Sequence, residues 1–96
     1  MTELIIKSSQ PEAAKAEIQA ALESQRRVIC HSIKRTQKNI ATFEEKYGFS
    51  TAELFRREAQ GTIDDNNLEF IEWLGETKLL GRLEDELKLL DEIQVC

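Results

Sequence analysis

Ninety-six residues with 41% hydrophobic content make one small domain, near the low end of what can bury a self-sufficient core. The apolar runs fall far short of the ~20 residues a membrane span needs and the start lacks the charged and apolar regions of a secretory signal, so the reading is a soluble, cytoplasmic protein. The net charge of −5 is uneven: residues 1 to 48 hold eight Lys or Arg against six Asp or Glu, and residues 49 to 96 hold five against twelve, which gives a basic patch and an acidic arm.

Residues 1–9 form a tail whose run Thr2-Glu-Leu-Ile-Ile-Lys7 is β-prone. Nothing else in the chain reads as its partner, so it packs as an extended tail, pairs with its copy in a dimer, or completes another protein's sheet edge. Ser8 and Ser9 offer a helix cap, Pro11 suits a first turn, and Glu12 favours the positive helix end.

From residue 10 to 47 there is no Gly and no Pro after Pro11, which predicts one helix of about 35 residues, roughly 50 Å long. Ile18, Leu22, Ile29, Ile33, Ile40, Phe43 and Tyr47 form one seam, with Gln25 and Thr36 at its polar steps. The spacing Ile18, Ile29, Ile40 repeats every eleven residues, which implies a nearly straight or slightly right-handed pack. An amphipathic helix lying on its own C-terminal half accounts for part of this seam. The remainder, Ile18, Leu22, Ile29, Ile33 and Ile40, is a candidate oligomer seam. Between Ser24 and Phe43 stand Arg26, Arg27, His31, Lys34, Arg35 and Lys38 with no acid among them. That stripe suits either a phosphate backbone or the acidic C-terminal helix, in cis or in a neighbouring chain; the missing aromatics and a pI of about 4.9 favour the latter.

Tyr47-Gly48-Phe49-Ser50-Thr51-Ala52-Glu53 compresses a helix stop and a helix start into seven residues. Gly48 closes the first helix in the left-handed conformation, and Ser50 with Glu53 makes a capping box for the next. A short helix over 51–60 turns Leu54 and Phe55 inward and leaves Arg56, Arg57 and Glu58 wet, and Gly61 ends it. Asp64 or Asp65 caps a last helix over 65–94, with Leu68, Ile71, Leu74, Leu79, Leu83, Leu87, Leu90 and Ile93 on one broad side. Gly75 and Gly81 interrupt it, marking either a kink or a close helix crossing. The aromatics concentrate between Phe43 and Trp73, which makes that segment the packing centre.

No catalytic constellation is visible. The one His lacks the partners that a metal or nucleophilic site needs. Asp64 and Asp65 lack calcium-loop spacing, the Glu84, Asp85, Glu86, Asp91 and Glu92 tail reads as a solvated helix face, and no phosphate-cradling glycine loop is present. Cys30 reads as a small buried apolar residue, and Cys96 as a terminal thiol able to cross-link two chains. The expectation is a non-enzyme with no metal and no cofactor.

Phe43-Glu44-Glu45-Lys46-Tyr47-Gly48-Phe49-Ser50, followed by Glu53, Leu54, Phe55, Gly61, Asp64, Asp65, Phe70, Glu72 and Trp73, resembles small antitoxin-like proteins of prokaryotic toxin–antitoxin loci, common in cyanobacteria and archaea. Phe49 stands where methionine is commoner, and the long N-terminal half lies outside the pattern. The resemblance implies a non-catalytic protein that neutralises a partner encoded next to it, often as a homodimer and sometimes while binding its own promoter. Were that toxin a ribonuclease with a basic RNA site, the acidic helix would mimic the charge of RNA. Phe70, Trp73 and Leu80 would then serve as anchors, with Glu69, Glu72 and Glu76 around them.

The expected architecture is all-α: long helix, short helix and long helix in an antiparallel hairpin, with a short N-terminal strand, assembled as a homodimer. Two other readings stay open, a purely structural helical homo-oligomer and a DNA-binding regulator that uses Arg26, Arg27, Lys34, Arg35 and Lys38.

Overall fold

The computed structural model describes residues 2–4, 9–64 and 66–95. Three helices dominate: α1 (Pro11–Tyr47), α2 (Thr51–Ala59) and α3 (Leu68–Glu92). α3 folds back along α1, so the molecule is a rod of 60 × 21 × 18 Å. Thr2–Leu4 and Ile93–Val95 are three-residue segments, β1 and β2, paired in parallel at the open end of the hairpin. The expected N-terminal run reached Lys7, and its residues 5–7 lie outside the described residues.

α1 runs unbroken for 37 residues because no glycine or internal proline interrupts it. Gln10 occupies its N-cap position rather than Ser9, with Pro11 directly inside, and Ser8 lies outside the described residues. It ends at Gly48, whose φ of 73° is the left-handed conformation that a side chain disfavours, and the Gly48 N–H donates to the Glu44 carbonyl. Two residues later the Ser50 hydroxyl accepts the Glu53 N–H at 3.1 Å and starts α2. The reciprocal half of the expected capping box is replaced: the Glu53 carboxylate turns to Arg56 and Arg57 instead.

α2 closes at Gln60, and Gly61, with φ of 68°, turns the chain out. α3 begins at Leu68, three residues later than expected, and its cap is Asn67, whose side-chain oxygen accepts the Glu69 N–H at 2.9 Å. Asp64 is not that cap; its carboxylate accepts the Asn66 N–H in a local turn, an arrangement that suits a short side chain two residues upstream. Asp65 lies outside the described residues. The helix passes through Gly75 and Gly81 without a break, and a side chain at either would meet open space, so neither marks a helix crossing within the chain. α3 ends at Glu92, before the expected residue 94, where the chain turns extended at Ile93.

The core sits at the hinge end. Trp73 and Leu54 are fully buried, Ile40 lies beside them, and Phe43, Tyr47, Phe49, Ile63, Phe70, Leu74 and Leu80 pack around that trio. The Trp73 ring stacks on Phe49 at 5.2 Å and Phe43 at 5.9 Å, while Tyr47 and Phe70 meet at 4.8 Å. Arg57, expected to stay wet, lies over the Phe49 ring at 4.1 Å, so its stem and charge cover the aromatic edge. Along the rest of the hairpin, Ile29 is the one fully covered apolar residue among those described, with Thr36 buried between it and the hinge core.

Candidate partner-binding surfaces

Which surfaces remain for a partner follows from how α3 covers α1. The seam of α1 is spent largely inside the chain. Ile29 and Ile40 are buried under α3, and Ile18, Leu22 and Ile33 are half-buried, so most of the candidate oligomer seam is not an outer surface. Polar pairs mark the alignment of the two helices: Lys46 with Glu69 at 2.5 Å, Asn39 with Glu76 at 3.3 Å, and Arg26 with Asp91 at 2.9 Å. The bond from Lys46 to the Glu69 carboxylate raises the lysine's pKa, which favours its charged form.

The expected anchors are redistributed by this packing. Trp73, expected as an anchor, has no exposed surface: α1, α2 and the turn at Phe49 enclose it, so it is a core residue of the free chain. Phe70 and Leu80 are half-buried against that core. Glu69 is engaged by Lys46. Glu72 and Glu76 do line an open hollow of about 450 Å³, together with Asn39, Thr42, Phe43 and Gly75. A second hollow, of about 240 Å³, opens at the corner between α2 and α3, lined by Glu58, Gly61, Ile63, Phe70, Ile71 and Leu74.

Among the described residues five large apolar side chains are exposed, and sequence periodicity missed them as surface: Val28, Leu68 (70% exposed), Ile71 (55%), Leu79 and Leu89. Leu68, Ile71 and Leu79 were expected on the inward side of α3. The apolar side of α3 is wider than one neighbouring helix can cover, so its outer rows stay open. A signal was present in the heptad row Leu68, Gly75, Arg82, Leu89, which is distinct from the row through Trp73, Leu80 and Leu87.

The basic stripe divides. Arg26 reaches across to Asp91 and also touches Glu23, and its buried Nε finds no acceptor among the described residues. Arg27, Lys34, Arg35 and Lys38 are exposed and make no ion pair among the described residues. Arg27, Lys34 and Lys38 lie on the side of α1 opposite the buried row of Ile29, Thr36 and Ile40, and Arg35 lies on its flank, which explains why the intramolecular pairing reached only Arg26. His31 is exposed between them, and Cys30 is a half-buried free thiol.

Among the described residues no three His, Cys, Asp or Glu side chains are grouped to hold a metal ion, and no helix is long and apolar enough to cross a membrane. No protein family, curated protein or solved structure matches this chain.

Proposed function

We propose that this chain is a non-catalytic protein-binding module of the antitoxin-like kind its hinge segment resembles, which neutralises a partner encoded by an adjacent gene. The observation that carries the reading is the apolar corner between α2 and α3, where Ile71 stands more than half exposed and lines the hollow with Ile63, Phe70 and Leu74. Glu58 at its rim and the excess of acids over bases along α3 give that apolar anchor a negative setting. An apolar centre with an acidic rim is complementary to a basic, RNA-holding site on a toxin. Trp73 supports this surface from within, and Ile71 takes the anchoring place.

The test is co-expression with the adjacent reading frame. The neighbour alone should arrest growth, this chain should relieve the arrest, and the two should copurify. Ile71→Lys should abolish copurification while the circular dichroism of the free protein stays helical. No arrest and no complex would reject the reading. A second reading, a DNA-binding regulator, draws on Arg27, Lys34, Arg35 and Lys38, which are exposed and make no ion pair among the described residues. It requires binding to upstream DNA that weakens steeply with salt.

A further inference from the structure

A hairpin of two helices has two broad sides, and here one of them is bare. At about 100° per residue, Glu44, which accepts the first N–H of α2, lies about 140° around α1 from Asn39, which lines the large hollow. α2 therefore covers one side of the hairpin, and the hollow opens on the other. On this uncovered side α1 presents Gln25, Val28, Ser32, Arg35, Asn39 and Thr42, spaced alternately by three and four residues. α3 presents Glu72, Gly75, Leu79, Leu83, Glu86 and Leu90 there. A smaller hollow, lined by Gln25, Ile29, Glu86, Leu89 and Leu90, opens between the same two helices toward the far end. Val28 is 56% and Leu89 54% exposed, and the Cβ position of Gly75 is open.

We infer that a second copy of this chain covers this face, giving an antiparallel four-helix bundle. Charge selects both the occupant and its orientation. The α1 edge of the face carries Arg35, with Lys38 beside it and no acid between Ser24 and Phe43, whereas the α3 edge carries Glu72, Glu76 and Glu86 against one base, Arg82. Two copies can meet face to face with their twofold axis either along the helices or across them. With the axis across, α1 lies on α1 and basic edge meets basic edge. With the axis along, each α1 lies on the partner's α3, and unlike edges meet on both flanks. Both arrangements make every neighbouring helix pair antiparallel, the geometry of a four-helix bundle, so charge is what chooses between them.

Register agrees with it. Such a twofold axis allows no slide along the helices, so the levels inside one chain hold between copies. Asn39 lies level with Glu76 and Lys46 with Glu69, which puts Arg35 near the level of Leu80, about one turn from Glu76 and about a turn and a half from Glu86. Those spans suit an extended arginine. The need for cover is also local: away from the hinge core, Ile29 is the one buried apolar residue among those described.

This inference does not rest on the neutralising-partner reading and is tested on the chain alone. Sedimentation equilibrium at micromolar concentrations should give a dimer. Arg35→Glu/Lys38→Glu, and separately Glu76→Lys/Glu86→Lys, should each weaken self-association by about tenfold or more and leave helical monomers. Mixing the two variants should restore a one-to-one dimer, because each then supplies the charge the other lacks. Val28→Glu, at a position exposed in the single chain, should break the dimer with the native charges in place. A wild type that stays monomeric to ~100 μM, well above the Kd expected of a specific interface, would overturn the proposal. So would a dimer indifferent to Val28→Glu, or folded charge variants that stay apart on mixing.

Discussion

The indole N–H of Trp73 donates to the hydroxyl of Thr51 at 2.9 Å, and that hydroxyl donates onward to the Glu44 carboxylate at 3.0 Å. The Thr51 backbone N–H, an unpaired group of the first turn of α2, donates to the same carboxylate at 2.7 Å. One threonine thus joins α1, α2 and α3 at the hinge. It also satisfies the polar atom of the fully buried tryptophan, which would be costly to leave without an acceptor.

Removing that acceptor should cost more than one ordinary hydrogen bond. Thr51→Val leaves the indole N–H buried and unpaired and should destabilise by about 1–3 kcal/mol. Trp73→Ala empties the centre of the aromatic cluster and should cost about 3–5 kcal/mol. Urea unfolding of Thr51→Val, Trp73→Phe and the double variant checks the coupling: once the donor has gone, losing the Thr51 hydroxyl should cost clearly less than it does alone.

At the turn, two residues act through the backbone. Gly48→Ala forces a Cβ into a left-handed conformation with φ of 73° and should cost about 1–2 kcal/mol, although a Cβ there would meet open space. Ser50→Ala removes the acceptor for the Glu53 N–H and should cost about 1 kcal/mol. Paired thermal melts of the two variants and wild type measure both.

These two positions were also the most legible part of the chain, and the reason is physical. A left-handed glycine and a serine cap act within three or four residues, so local sequence determines them, and an uninterrupted run from Pro11 to Tyr47 leaves no place for α1 to end earlier. The three-helix hairpin followed from those local facts. What local sequence did not carry was which of several apolar rows on α3 would be enclosed. Trp73 read as an anchor for a partner because an aromatic beside acids resembles an interface. Its enclosure depends on Phe43, Phe49 and Leu54 arriving from three other segments. The cap at Asn67 was missed for a smaller reason: Asp64 is an equally good cap by type, and only the turn it makes with Asn66 shows that it is used elsewhere.

Glu53 should give the hinge an acid-sensitive component. Hydrogen bonds from Arg56 first and Arg57 second lower its pKa from the usual carboxylate value near 4.5 to about 2. A lowered folded-state pKa stabilises above the unfolded value, and the contribution is lost as pH falls toward the folded one. The Tm difference between wild type and Glu53→Gln should therefore be constant above about pH 5, shrink through the window from 4.5 to 2, and vanish below it. A difference that grows as the pH falls would have the wrong sign for this pairing.

Leu54 and Ile71 separate the core from the open surface. Leu54 has no exposed area and packs with Trp73 and Ile40, so Leu54→Ala should cost about 2–5 kcal/mol. Ile71 is 55% exposed at the α2–α3 corner, and Ile71→Ser should change the stability of the isolated chain by no more than about 0.5 kcal/mol. The pair is informative because both residues are apolar, helical and within 20 residues of each other, so propensity alone would rank them alike. If Ile71→Ser cost as much as Leu54→Ala in urea titrations, the corner would be covered in the free protein. Ile71 could not then be the residue that a partner finds exposed. A near-neutral effect on folding, together with loss of the neighbour in the copurification assay, would locate that residue's role in binding alone.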